Sequence, residues 1–286
     1  MKVILEPQVK ILKEDQSKLN LLIENITPAL ANSLRRTVLA EVPVMAIDDI
    51  VILENSSVLY DEILAHRIGL VPLVNDYDEI RAALEEDPLA LREKEVAFVL
   101  DVVAEDEEKT VYSSDLKPKA LEEEVKVSKV IRPASGKIPL VKLARGQRIV
   151  LEAYAHYGLG KQHAKWQPVS VAAFKYLPVI SIDREKCILC GQCVEECPRK
   201  VFEMKEEGVS VSNPYVCSLC MSCVKICPTA AIKVRGREDA FIFKIESIGV
   251  LPPRDAFILS ILVLKYKVRN FKKILERVVV GQETAS

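Results

Sequence analysis

Short runs of alternating apolar and polar residues dominate this chain, and two stretches break the rhythm with helical spacing. Residues 9–12 and 19–23 are strand-like, and the polar Glu14-Asp15-Gln16-Ser17 between them predicts a hairpin. Thr27 then offers an N-cap oxygen, and Pro28 suits the first helical position, where its missing N–H costs nothing. Leu30, Leu34, Val38 and Glu41 recur about one turn apart, and Pro43 ends the helix. Leu30, Leu34 and Val38 form its expected apolar face.

Residues 44–180 mix strand-like runs at 50–53, 96–103 and 148–155 with charged stretches at 76–95 and 104–129. The run Glu85-Glu86-Asp87 reads as solvated surface. Near the C-terminal end, Phe241, Phe243 and Ile245 alternate with Ile242, Lys244 and Glu246, the pattern of a half-buried strand. Pro252-Pro253 breaks the chain, and Asp255 can cap the next helix. Phe257, Ile261, Leu264, Val268, Phe271, Leu275 and Val278 are then spaced alternately by four and three, the seam of a helix packed lengthwise on another. Ile258, Leu262 and Val263 widen that stripe, so the first half is expected to be deeply covered. The repeat favours contact with another polypeptide over a helix packed only within its own chain.

The length of 286 residues suggests two or three domains, and 49% apolar with 28% charged residues fits a folded protein. A net charge of −1 excludes a general attraction to nucleic acid, so any work on DNA would pass through partners. Met1-Lys2-Val3-Ile4-Leu5 runs into Glu6-Pro7 without the pattern of a signal peptide. The longest apolar stretch, residues 256–264, is interrupted by Ser260 and falls short of the roughly 20 residues a membrane span needs. A cytoplasmic protein without a membrane contact is expected.

All eight cysteines lie between Cys187 and Cys227. Cys187, Cys190, Cys193 and Cys197-Pro198 form a complete C-x2-C-x2-C-x3-C-P run, and Cys217, Cys220, Cys223 and Cys227-Pro228 repeat it thirty residues on. This is the bacterial-ferredoxin spacing, in which the fourth cysteine of each run serves the other cluster. Cys187, Cys190, Cys193 and Cys227 are therefore assigned to one [4Fe–4S] cluster, and Cys217, Cys220, Cys223 and Cys197 to a second. Two four-cysteine zinc sites are the alternative, but zinc sites normally use paired C-x2-C elements. Short strands at 180–182, 201–204, 209–211 and 231–234 flank the runs, predicting a duplicated ferredoxin-like domain that depends on its clusters to stay folded. Gly191 permits close backbone approach to the first cluster.

Outside the cysteines, Gly158-Leu159-Gly160-Lys161-Gln162-His163 has only two glycines of a dinucleotide fingerprint, and there is no phosphate-binding loop or G-x-S-x-G. His66, His156 and His163 stand in separate contexts, where packing or surface roles outweigh catalysis. An assembly or interaction protein carrying a ferredoxin domain is the reading of the residues themselves. An electron-transfer subunit of an oxidoreductase is the alternative.

Three blocks then carry a resemblance. Asn32-Ser33-Leu34-Arg35-Arg36-Thr37-Val38-Leu39-Ala40-Glu41-Val42-Pro43 resembles the signature helix of the RNA polymerase alpha family. Residues 55–73, NSSVLYDEILAHRIGLVPL, resemble its next block, and residues 158–168, GLGKQHAKWQP, the form found in archaeal and eukaryotic members. A ferredoxin insertion after that block is characteristic of the archaeal D-type branch. The resemblance implies an α+β protein with a discontinuous alpha-like dimerisation domain (1–44 and 236–286), a mixed insert domain (45–178) and a ferredoxin-like domain (179–235). It implies a heterodimer with the small subunit L, onto which the large catalytic subunits and the small subunits N and P assemble, with DNA reached only indirectly. The C-terminal seam, Leu30 and Leu34 would face that partner. Arg35, Arg36 and the loop 161–166 would contact neighbouring subunits, and no catalytic residue is implied.

Overall fold

The computed structural model describes residues 6–119, 131–206 and 208–279, so the expectations for the first five residues and for the charged stretch beyond residue 119 lie outside it. Along the described chain the strands are β1 (Gln8–Glu14), β2 (Lys18–Glu24), β3 (Val44–Asn55), β4 (Glu95–Val103), β5 (Lys109–Tyr112) and β6 (Lys117–Pro118). They continue with β7 (Pro139–Leu143), β8 (Arg148–Gly158), β9 (Val169–Ile182), β10 (Phe202–Lys205), β11 (Gly208–Val211) and β12 (Ile232–Ser247). The helices are α1 (Pro28–Ala40), α2 (Asp61–Gly69), α3 (Tyr77–Glu85), α4 (Gln192–Glu196), α5 (Ser222–Ile226) and α6 (Pro253–Val279). Among the described residues no helix is long and apolar enough to cross a membrane. By its internal contacts the chain divides into two compact units, residues 1–14, 19–32 and 173–244 in one and 15–18, 33–172 and 245–286 in the other.

The first unit is organised by a sheet ordered β1-β2-β12-β9. The β1–β2 hairpin is antiparallel, and its turn forms because the Asp15 carboxylate accepts from the backbone N–H of Ser17 and Lys18 at 2.9 and 2.8 Å. Leu19, Leu21, Leu22 and Ile23 of β2 are buried, as are Phe241 and Phe243 of β12. Phe174 of β9 meets Phe241 edge-on with centroids 5.4 Å apart, and Tyr176 lies 5.2 Å from the same ring. Ile242, expected on the open side of its strand, is buried too.

Helix α1 starts as its sequence predicts, with Thr27 Oγ1 accepting from Leu30 N–H at 3.2 Å. Its buried face is Ala31, Leu34, Thr37 and Val38, whereas Leu30 is 41% exposed. The i, i+3, i+7 set beginning at Ala31 turns the stripe away from Leu30, which corrects the expected face.

The second unit contains a sheet ordered β3-β8-β4-β6 and a smaller β5-β7 pair. Ile47 pairs with Ala155 and Leu100 with Leu151 across its antiparallel ladders, and all four are buried. Leu64 and Ile68 of α2 join this core. Buried Asn75 bonds only to backbone, accepting from Met45 N–H at 2.7 Å and donating to Leu73 O at 2.9 Å. The charged stretch 76–95 hides a helix: Asp76 caps α3, Ile80 and Leu84 point inward, and Glu85, Glu86 and Asp87 remain exposed as expected. Only Ile80 and Leu84 of its nine residues are buried, a stripe too short to stand out among the charges of this stretch.

Helix α6 begins at Pro253, so Asp255 lies in the first turn, where it complements the helix dipole, rather than at the cap. Ala256, Phe257, Leu259, Ser260 and Val263 are its buried residues. Ser260 tolerates burial because its hydroxyl donates to Phe257 O at 2.6 Å. Phe257 is therefore part of this chain's own core, and Ile258 and Leu262 are only half-buried; the expected deep cover of the first half is partial. Helix α3 packs against α6, and Arg269 reaches the terminal carbonyls of α3 at Leu84 and Glu85 (3.5 and 3.4 Å). From Lys267 onward every described residue of α6 is exposed.

The segment after β8 shows why its two glycines are there. A Cβ on Gly158 would stand 2.3 Å from the ring of Trp166, and one on Gly160 would stand 2.4 Å from Leu39 O at the end of α1. Lys161 N–H then donates to Ala40 O at 3.0 Å, closing the loop onto the helix end. Since a backbone oxygen cannot swing aside, Gly160→Ala is expected to destabilise the chain by about 1–3 kcal/mol, read as a thermal midpoint lowered by several degrees. An unchanged midpoint would show that the loop shifts freely.

Candidate metal centre and partner-facing helix

The two cysteine runs adopt the same backbone course. Leu189 and Leu219 have φ of 59° and 58°, Gly191 and Met221 of 74° and 64°, and Lys200 and Ala230 of 49° and 50°. Non-glycine residues pay roughly 1–2 kcal/mol for this left-handed conformation, so its recurrence at thirty-residue spacing marks a turn repeated for its geometry. Met221 shows that glycine at this point is convenient rather than required. Each run then enters a one-turn helix, α4 or α5, and β10 pairs with β11 between them.

Cys187, Cys190 and Cys193 line one hollow together with Cys227, while Cys217, Cys220 and Cys223 line a second together with Cys197. The fourth cysteine of each run thus sits with the first three of the other. Backbone N–H groups point at the sulfurs: Val201 to Cys197 (3.4 Å), Ala231 to Cys227 (3.3 Å) and Leu219 to Cys217 (3.4 Å). Cys193, Cys217 and Cys223 belong to the local core itself, beside Val201, Phe202 and Ile232.

The thiols feel one another. Burial pushes Cys223 up to about 11, with Cys217, Cys197 and Cys220 adding repulsion. Burial likewise raises Cys193, with Cys187, Cys190 and Cys227 adding theirs. Cys220 is held below the usual thiol range by the backbone N–H and hydroxyl of Ser222. At Cys227 burial acts upward but is outweighed by hydrogen bonds from Ala231 and Thr229. Four thiolates in one hollow would repel one another unless positive charge lay between them.

Among the described residues, no group of three or more His, Cys, Asp or Glu side chains is arranged to hold a metal ion. Zinc needs sulfurs about 2.3 Å from one central ion, which brings them close together. A cuboidal cluster fills the centre itself and is held at its corners, so its thiolates stand farther apart. The all-cysteine donor set and its four-plus-four grouping fit a group held by four thiolates.

Three charged or polar neighbours escaped the sequence reading. Arg199 lines the hollow of Cys197, and Thr229 lines that of Cys227. Lys175 of β9 donates its Nζ to Tyr215 O and Cys217 O at 2.6 and 2.7 Å. The Arg199–Thr229 correspondence was visible in the repeat; Lys175 carried no signal at all.

The histidines are less separate than their sequence contexts suggest. His66 and His163 line one hollow with Asp48 and Lys165, which form an ion pair. His156 lies apart, 3.5 Å from Asp49 and 3.4 Å from Glu95. In the loop 161–166, Trp166 is buried and donates to His156 O at 3.1 Å.

On α6 the expected seam opens at Ile261, which is exposed, and Leu264 is half-buried. Val268, Phe271, Leu275 and Val278 are 68, 64, 48 and 67% exposed, with Ile274 beside them. Among the other expected contact residues, Leu34 is buried in its own chain, Arg35 is half-buried and Arg36 is exposed.

A split sheet, a long helix with an open apolar stripe and a cysteine-rich insertion describe a dimerisation-domain protein. Residues 20–268 match the RNA polymerase Rpb3/Rpb11 dimerisation domain. The chain is 39% identical to DNA-directed RNA polymerase subunit Rpo3 of Archaeoglobus fulgidus, over 95% of this chain and 99% of that one. It is 35% identical to Rpo3 of Methanosphaera stadtmanae (92% and 96% covered) and 33% identical to the RNA polymerase II subunit rpb3 of Dictyostelium discoideum (93% and 94%). The chain belongs to this family, as an archaeal-type, alpha-like (Rpb3) subunit of RNA polymerase.

Proposed function

We propose that the chain is the non-catalytic assembly subunit of an archaeal RNA polymerase, that it pairs through α6 with the small subunit L, and that its cysteines hold two [4Fe–4S] clusters. The observation that carries this reading is the apolar stripe from Ile261 to Val278, left open by its own chain in a family described by dimerisation. Phe271 and Leu275 would each contribute about 1.5–3 kcal/mol on burial, enough to make a pair of them decisive. Subunits N and P and the large catalytic subunits would join the heterodimer, DNA would be reached only through them, and a cytoplasmic location is the corresponding expectation. The relatives named for this chain are polymerase subunits, which leaves an electron-transfer subunit of an oxidoreductase without support.

The clusters would hold the insertion together. Its core is built largely from cysteines, so the ferredoxin-like region has little else to fold around. Each cluster, when bound, would offset part of the charge of its thiolates and could take up an electron.

Phe271→Glu with Leu275→Glu is expected to weaken pairing with subunit L by about a hundredfold or more, by calorimetry, while iron content stays unchanged. Undiminished pairing would mean that another surface carries the contact. A second experiment tests the exchange of the fourth cysteines. Cys220→Ser alone should remove about half the iron and sulfide of anaerobically prepared protein. Adding Cys197→Ser should remove little more, whereas adding Cys227→Ser should remove nearly all. The reverse order would assign each run its own cluster.

A further inference from the structure

The duplicated backbone allows the two hollows to be compared position by position, because residues thirty apart share the same conformation. Where Thr229 lines the first hollow, Arg199 lines the second, each two residues beyond a fourth cysteine. Ile188 of the first corresponds to Ser218 of the second, and Gln192 to Ser222. No charged side chain other than cysteine lines the first hollow. The second has Arg199 and, behind it, half-buried Lys175 held on the carbonyl of Cys217 at 2.7 Å. Exposure matches at two of the paired positions, with Cys193 and Cys223 both 7% exposed and Cys190 and Cys220 both at the surface. Cys217 is buried where Cys187 is half-buried, so burial opposes rather than produces easier reduction in the second hollow.

Reduction adds one electron, hence one unit of negative charge, inside a cage whose four thiolates are already anionic. Nearby cations and hydroxyl donors lower the free energy of that more negative state. The first hollow has the Thr229 hydroxyl 3.7 Å from the Cys227 sulfur, but no cation among its described lining residues. We propose that the two clusters are electrostatically inequivalent, and that the one caged by Cys197, Cys217, Cys220 and Cys223 is the more readily reduced, with Arg199 and Lys175 as the positioning residues that set the difference. The inference rests on the two-cluster reading of the proposed function. An electron given to the subunit then settles beside Lys175, on a strand of the sheet β1-β2-β12-β9. Arg199 is exposed, so its share is screened by salt; that of half-buried Lys175 persists.

The test is a potentiometric titration of the full, anaerobically prepared chain, with dithionite as electron donor and spin resonance as readout. No bond of the chain forms or breaks. Two one-electron waves are expected, at least tenfold apart in equilibrium constant, which is about 59 mV. Arg199→Thr should lower only the upper wave, and less so at high salt. Lys175→Met should lower the same wave at either salt concentration. Thr229→Arg should raise only the lower wave, and it carries the test if Arg199→Thr loses iron. A single unsplit wave, or variants that move the opposite wave, overturns the inference while about eight iron and eight sulfide per chain keep the cluster reading intact. A chain without iron and sulfide removes both.

Discussion

The first unit depends on β12 being buried between β2 and β9. A strand in that position satisfies its backbone groups on both edges and loses apolar surface on both faces, which is why Ala240 through Phe243 are all inaccessible. The burial also joins distant sequence, since β2 lies near the start of the chain and β12 comes after the cysteine runs. The two ends of the cysteine region are therefore pinned by the strands that flank it: β9 leads in at Ile182 and β12 leads out at Ile232. Asp183 N–H donating to Ala231 O at 2.8 Å closes the neck between them.

That neck carries a region with an unusual interior. Six buried residues form its local core, and three of them are cysteines. Apolar burial at that scale offsets little of the conformational entropy of some fifty ordered residues. The backbone also holds Leu189, Leu219 and Met221 in left-handed conformations, each of which costs free energy. Under the proposed function, a group bound by four thiolates at once would compensate for this; the N–H groups of Val201, Leu219 and Ala231 point at the sulfurs of Cys197, Cys217 and Cys227.

The second unit is built the opposite way, with few special groups and extensive ladders. Asn75 stitches Met45 to Leu73, Arg269 closes the open end of α3, and the glycines of the 158–160 segment let a loop lie flat on the last turn of α1. A pair of glycines that might suggest a nucleotide loop is thus explained by a ring and a carbonyl oxygen. The same chemistry that anchors the first half of α6, burial of Phe257, Leu259 and Val263, stops after Val263, and Val268, Phe271, Ile274, Leu275 and Val278 stay exposed.

Local signals in the sequence determined the β1–β2 hairpin, the Thr27 cap of α1, the strands around residues 50, 100 and 150, and the length and period of α6. Each depends on residues within a few positions of one another. Cysteine spacing likewise marked the eight thiols and the repeat. Tertiary structure alone decided which side of each stripe meets its own chain: Ala31 in place of Leu30 on α1, and Phe257 inside while Phe271 stays open on α6. It also brought His66 to His163, and Lys175 to Cys217, across gaps that no periodicity spans. The physical reason is the same in every case. A period reveals that a face must be covered, and only packing decides by what.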